Sequence, residues 1–387
     1  MYLDTAATTP VRREVLEAMW PYLAGGVEGV FGNPSSHHEI GERAAAGLAD
    51  ARARIAAFLG CRAGEVVLTS GGTEADNLAV KGIALAAPRG RHLITTPIEH
   101  EAVLASADAL RRLHGFEVEM LPVGADGRVA PEALAAALRD DTTLVSIHHA
   151  NNEVGVVQPI ADLAAVARER GVPFHTDAVQ SAGWMPVGLA ELGVDAVSIA
   201  GHKLGAPKGV GALAVRAGVP LEPVLHGGGQ ERGRRSGTEN VAGAVGLATA
   251  LDLAAATRDA VPALVAARDA LIAAVLTAVP EAILTGPAST GTIETRLPGH
   301  ASFCFPGTNG ETVLLELEQR GVTCSSGSAC SAGSDEPSHV LVALGIDPDV
   351  ARTAVRFTLP ADFGVDDADA VAARVAEAVA AVGSLGR

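Results

Sequence analysis

From about residue 60 to 215 the chain alternates two apolar patterns. Short apolar runs predict buried strands over 65–69, 92–96, 117–123, 144–149, 174–178, 194–200 and 210–215. Between them, apolar positions at helical spacing predict helices over 73–86, 101–113, 131–138 and 160–170, the third with Pro131 in its first turn. Strands that alternate with helices predict an α/β fold: a mainly parallel sheet covered by helices on both faces.

The pattern then changes. Residues 239–279 read as one long helix leading to a second unit. That unit shows strands at 301–305 and 355–359, a helix at 311–320 and a terminal helix from about 366. The expected division is a large domain over 15–258 and a smaller α+β domain built from 1–14 and 259–387. Ser325 to Ser334 is a run of small and polar residues with Cys330 at its centre. It reads as a mobile loop spanning about 321–338. The chain shows no internal repeat.

The 387 residues are 48% hydrophobic, ample for a sizeable core, yet only 3% aromatic, so Ala, Val and Leu must fill it. A net charge of −16 disfavours a general nucleic-acid or membrane-surface binder. The main basic cluster, Arg232, Arg234 and Arg235, suggests a local anion or subunit contact. Met1-Tyr2-Leu3-Asp4 shows neither the basic nor the apolar stretch of a secretory signal. No window reaches roughly 18 continuous apolar residues. Four cysteines (Cys61, Cys304, Cys324 and Cys330) do not make a disulfide scaffold, and the expected compartment is the reducing cytoplasm.

Only three of the 29 basic residues are lysines: Lys81, Lys203 and Lys208. Where charge alone is needed this chain uses Arg, so Lys203 invites a reading in which an amine is required. A Lys amine can lose its proton and form a Schiff base; Arg cannot. Lys203 follows the strand at 194–200, and in open α/β sheets ligands sit at the carboxyl ends of the strands. Ser70-Gly71-Gly72-Thr73-Glu74 ends another strand before a helix, a plausible phosphate cradle. Asp177 closes an apolar strand, where a carboxylate is costly unless paired with a cation such as a protonated ring nitrogen. Asn151 and Asn152 end a strand, where Asn ordinarily forms turns. His100 opens a helix, where a capping or surface role is the ordinary one. A Schiff-base lysine, a phosphate cradle, a carboxylate for a pyridinium and a ring-stacking histidine together describe pyridoxal phosphate. His100, His148, His149, His175, Cys324 and Cys330 lack the spacing of a closed metal site, so no metal is expected.

These residues fall in motifs that resemble cysteine desulfurases of the NifS/IscS type, nearly end to end. The motifs are Tyr2-Leu3-Asp4, Ala7-Thr8-Thr9-Pro10, Gly32-Asn33-Pro34-Ser35-Ser36 and Thr69-Ser70-Gly71-Gly72-Thr73-Glu74. They continue through Asn151-Asn152-Glu153-Val154-Gly155, Asp177-Ala178-Val179-Gln180-Ser181 and Gly201-His202-Lys203 to Arg235-Ser236-Gly237-Thr238, the Cys330 loop and Arg356-Phe357. The resemblance implies a fold type I pyridoxal-phosphate enzyme, a homodimer, acting on L-cysteine. By position it implies that Lys203 carries the cofactor and that Asp177 pairs with the ring nitrogen. His100 would stack on the ring and Gln180 contact its hydroxyl. Gly72, Thr73 and His202 would hold phosphate, with Thr238 from the other subunit. Asn33, Asn152 and Arg356 would bind substrate, the Arg gripping its carboxylate in bidentate fashion.

Cys330 would be the nucleophile, taking sulfur as a persulfide, releasing alanine and passing the sulfur to a protein acceptor such as an iron–sulfur scaffold. The other three cysteines read as structural. A selenocysteine lyase shares this scaffold and is the alternative reading. One position departs from the pattern: many relatives place a phosphate-binding Ser or Thr where this chain has Ala200. Ser198, backbone N–H groups or water are expected to stand in.

Overall fold

The computed structural model describes residues 1–26, 29–86, 89–288, 290–327 and 336–385. β1 (Val66–Thr69), β2 (His92–Thr95), β3 (Glu117–Met120), β4 (Thr142–Ser146), β5 (Phe174–Asp177), β6 (Ala196–Ala200) and β7 (Gly211–Val215) form one seven-stranded sheet in the order β1-β7-β6-β5-β4-β2-β3. The run from β6 to β3 is parallel. β7 is the reversed strand, antiparallel to β6 and β1. All positions of β1, β4, β5, β6 and β7 are buried, the mark of a sheet covered on both faces. β3 lies at an edge and carries Glu117 and Glu119, charges that discourage further strand pairing.

The helices are α1 (Arg13–Leu23), α2 (Glu39–Phe58), α3 (Gly72–Ala86), α4 (Glu101–His114), α5 (Pro131–Ala137), α6 (Ile160–Glu169), α7 (Leu189–Leu192), α8 (Val241–Ala256), α9 (Val261–Ala278), α10 (Gly310–Gln319), α11 (His339–Ala343), α12 (Pro348–Ala351) and α13 (Val365–Leu385). α1 and α2 lie outside the alternating pattern and pack on α8. The long helix expected over 239–279 is two helices. α8 stops at Ala256, a short 3-10 turn spans Arg258–Ala260, and Pro262 sits in the first turn of α9. Proline has no N–H to give, so a helix accepts it there and breaks before it.

A second sheet joins β8 (Ile283–Leu284), β9 (His300–Cys304) and β10 (Ala354–Thr358) in the antiparallel order β10-β9-β8. Phe303, Phe305 and Phe357 share a core with Leu264 and Leu271 of α9, Val371 and Val375 of α13, and Leu3 from the N-terminus. Tyr2 and Asp4 make bridges to Thr323 and Thr358, so the first residues are tied to this second sheet. By length and composition α9 with its preceding turn is apolar enough to cross a membrane, at mean hydropathy 1.7. Arg268 and Asp269 interrupt it, and Arg268 is buried, donating to the carbonyls of Arg296 and Leu297.

Candidate active site

The carboxyl ends of β1, β4, β5 and β6 converge on one cavity of ≈350 Å³. Gly72, Thr73, His100, Asn152, Asp177, Gln180, His202, Lys203 and Arg356 all line it. The expected site residues Asn33 and Thr238 do not; both are exposed. Cys330 lies outside the described residues.

β1 runs through Ser70 and Gly71 straight into α3. The first N–H groups of a helix have no partner inside it, so Gly72 and Thr73 bring an anion-binding end to the cavity. A Cβ at Gly72 would stand 2.8 Å from Val179 Cγ2 and 3.4 Å from Ala200 Cβ, so glycine lets the turn sit against β5 and β6. Glu74 accepts from the Ser70 amide and pairs with Arg235 at 2.8 Å, which draws the Thr238 segment towards this end of α3.

His100 both caps α4 and lines the cavity. Its Nδ1 accepts from the Ala102 amide at 3.1 Å, which leaves Nε2 as the proton-bearing nitrogen of the neutral ring. Asp177 ends β5 and is 8% exposed. Burial raises its pKa above the usual carboxylate value; the Val179 amide, donating at 2.8 Å, and the nearby imidazole of His100 oppose that rise. Asn151 is a turn former: its Oδ1 accepts from the amides of Glu153 and Val154, and its Nδ2 donates to Ile98 O. Asn152 is the one that faces the cavity.

β6 ends at Ala200, and Gly201–Lys203 turns over its end. Lys203 Nζ donates to Ala6 O and, at 2.8 Å, to Ala7 O; Gln180 Nε2 donates to Ala6 O at 3.0 Å. The turn at the N-terminus thus orients two site residues, a role that no single residue type signals in sequence. His202 Nδ1 shares a hydrogen bond with Thr8 Oγ1 at 3.2 Å, and burial, with Lys203 and Lys208 nearby, pushes its pKa down to about 4. Ser198 does not replace the hydroxyl missing at Ala200: its Oγ is shared with His175 Nε2 at 2.9 Å, and it does not line the cavity.

Arg356 of β10 reaches the cavity from the second sheet. It is 2% exposed; Nη2 donates to Asp4 Oδ1 at 2.7 Å and Nη1 to Asn152 O at 2.9 Å. Its Nε has no hydrogen-bond partner, and neither does Nε2 of His148, a cavity residue that sequence reasoning left among the metal candidates. Buried polar atoms without partners are costly, and two such residues lining one cavity point to a polar ligand. Among the described residues, no group of three or more His, Cys, Asp or Glu is placed to hold a metal ion.

The aminotransferase class-V model matches residues 1–371. The chain belongs to that family. Among similar proteins is the cysteine desulfurase IscS of Dictyoglomus turgidum, 47% identical over 361 residues, 93% of this chain and 89% of the relative. A solved NifS-like protein is 36% identical with a TM-score of 0.89, covering 98% of this chain and 99% of that one. A structure of SspA in complex with cysteine is 37% identical, with a TM-score of 0.79 over 93% of this chain and 98% of that one. The class-V fold thus accounts for the mainly parallel sheet with a smaller sheet beside it.

Proposed function

We propose that this class-V protein is a pyridoxal-phosphate-dependent cysteine desulfurase that converts L-cysteine to L-alanine and leaves the sulfur as a persulfide on Cys330. The observation that carries the reading is the meeting of Lys203, Asp177 and the N-terminal end of α3 around one cavity, with Arg356 entering from the second sheet.

The residues present fit the cofactor. Gly72, Thr73 and His202 would hold its phosphate, Asp177 its ring nitrogen, Gln180 its hydroxyl and Lys203 its aldehyde carbon, with His100 against the ring. The Gly72 turn leaves no Cβ in the way, and the partnerless Arg356 Nε offers a donor for a substrate carboxylate. Bound pyridoxal phosphate supplies an electron sink for charge developed at the substrate α-carbon, which weakens the carbon–sulfur bond.

The chain's own residues supply the rest. Arg356 and Asn152 grip the carboxylate of L-cysteine and fix which bond at the α-carbon faces Lys203. Lys203 Nζ, anchored on the Ala6 and Ala7 carbonyls, takes the α-proton as general base. The Cys330 thiolate attacks the substrate sulfur; the electron pair of the carbon–sulfur bond stays on carbon, which is protonated and leaves as alanine. The persulfide then passes to a protein acceptor, an iron–sulfur scaffold or another thiolation partner. A negative charge of −16 favours a protein acceptor over nucleic acid.

A homodimer supplies Thr238 in this reading. Thr238 is exposed and outside its own cavity, and Leu16, Trp20, Leu23 and Phe31 present an exposed apolar surface on and beside α1. A free-thiol nucleophile fits the reducing cytoplasm; Cys61, Cys304 and Cys324 are unpaired. The test is alanine production from L-cysteine by the cofactor-loaded protein with a reductant. Alanine and sulfide in equal amounts support the assignment; pyruvate or keto-acid-dependent transamination in their place overturns it.

A further inference from the structure

Asp76 has no part in the steps above, yet it lines the same cavity. It stands on α3 three residues beyond Thr73 and is 1% exposed. Its Oδ1 has no hydrogen-bond partner. An ionised carboxylate in that setting would be costly unless a cation faced it.

The groups around it offer none. From β5 come Asp177 and His175, from β6 Ser198, and from the turn before α4 Glu99. Asp177 and Glu99 are acids that oppose a further negative charge. Glu99 is itself fully engaged, accepting from Thr96 Oγ1 at 2.7 Å and from the His148 amide at 2.9 Å. His175 Nε2 lies 3.8 Å from Asp76 Oδ1, but that ring shares its hydrogen bonds with Ser198 at 2.9 Å and Ser146 at 2.8 Å. Burial pushes its pKa down to about 3, so it carries no charge near neutrality. Burial, then Asp177, raises the pKa of Asp76 well above the carboxylate range; the Ser198 hydroxyl opposes that rise.

We propose that Asp76 carries a resident proton: the buried pair Asp76 and Asp177 holds one proton between them, Asp76 keeps it, and Asp177 alone turns a negative charge to the cavity. Two carboxyls in one dry site cannot both ionise freely, and environment decides which does. Here the Val179 amide, His100 and His148 favour the anion at Asp177 against burial and Glu99, while Asp76 has only Ser198. Asp76 is thus a positioning residue: neutral, it leaves the full charge of its neighbour for a cationic ring nitrogen. The functional half of this inference rests on Asp177 as the counter-ion proposed above.

The test is infrared spectroscopy of the cofactor-free protein at neutral pH, wild type against Asp76→Asn. The expected difference is the C=O stretch of a protonated carboxylic acid, present in wild type and missing in the variant. Ser198→Ala removes the donor that favours the anion and is expected to carry the same band to higher pH, which keeps the test open should Asp76→Asn not fold. Cofactor affinity in Asp76→Asn is expected to stay within about threefold of wild type, since the amide copies a neutral carboxyl in shape and charge. A carboxylate signature for Asp76 at neutral pH overturns the proposal. So does an affinity loss in Asp76→Asn as large as in Asp177→Asn. An acid band together with unchanged affinity in Asp177→Asn would uphold the proton on Asp76 and defeat the counter-ion reading instead.

Discussion

Asp4 Oδ1 accepts a hydrogen bond from Arg356 Nη2 at 2.7 Å, joining the fourth residue of the chain to a strand more than 350 positions later. Arg356 is buried and Asp4 half-buried, and Nη1 of the same guanidinium holds the Asn152 carbonyl. Arg356 is therefore fixed on two sides, with Nε left for a ligand.

Arg356→Lys keeps the charge but loses the fork. It is expected to raise KM for L-cysteine by roughly 10–100-fold, the worth of one or two charge-assisted hydrogen bonds. The cofactor's visible absorption should be unchanged. Steady-state kinetics with a scan of the visible band check this; an unaltered KM would remove Arg356 from substrate binding.

Lys203→Ala is expected to lose covalent attachment of the cofactor. After borohydride reduction and digestion, wild type should carry the reduced cofactor on the peptide containing Lys203, and the variant on none. Attachment at Lys81 or Lys208 would refute the assignment.

Asp177→Asn separates stability from function. Burial raises the pKa of Asp177, so the folded protein binds that proton more tightly than the unfolded chain does. Its contribution to stability is present in full below about pH 4 and is lost as pH rises through the folded pKa. Asn does not titrate. Melting curves of the cofactor-free proteins should therefore show the variant gaining on wild type as pH rises from about 4 to 8. Over the same range the variant should bind cofactor less tightly. Parallel curves would show that the carboxyl is not strained by its burial.

Ala200→Ser restores a hydroxyl at a cavity position that is 1% exposed. A hydrogen bond to a charged group contributes about 1.5–3 kcal/mol, so cofactor affinity is expected to rise by roughly 10–100-fold. Titration of cofactor-free protein measures it; no gain would mean that the phosphate does not approach this wall.

Much of this was legible in the sequence. The alternating strands and helices appear where their periodicity places them, because strands buried on both faces read as apolar runs; the exception is β3, expected buried over 117–123 but an exposed edge strand over Glu117–Met120. Lys203, Asp177 and the Gly72 turn could be read because each lies at or just past a strand end, whereas His100, an ordinary helix cap, could be read only in company with them. Asp76 and His148 were missed as site residues for the opposite reason: each looks ordinary beside its neighbours, and only the fold shows that its polar atom is buried without a partner. The break before Pro262 was signalled by Thr257-Arg258-Asp259 and by the proline itself, but the apolar helical stretches beyond them made the segment read as continuous. The hold of the Ala6 and Ala7 carbonyls on Lys203 comes from backbone atoms far away in sequence, which no side-chain pattern can announce.

Cys330→Ala tests the central claim most directly. The cofactor-loaded variant is incubated with L-cysteine and a reductant beside wild type, and each is then digested for mass spectrometry. With reductant, wild type should release alanine and sulfide; a portion incubated without reductant should carry one extra sulfur atom on the Cys330 peptide, whereas the variant should keep its visible band and show none of these. Sulfide release by the variant at the wild-type rate would contradict the account.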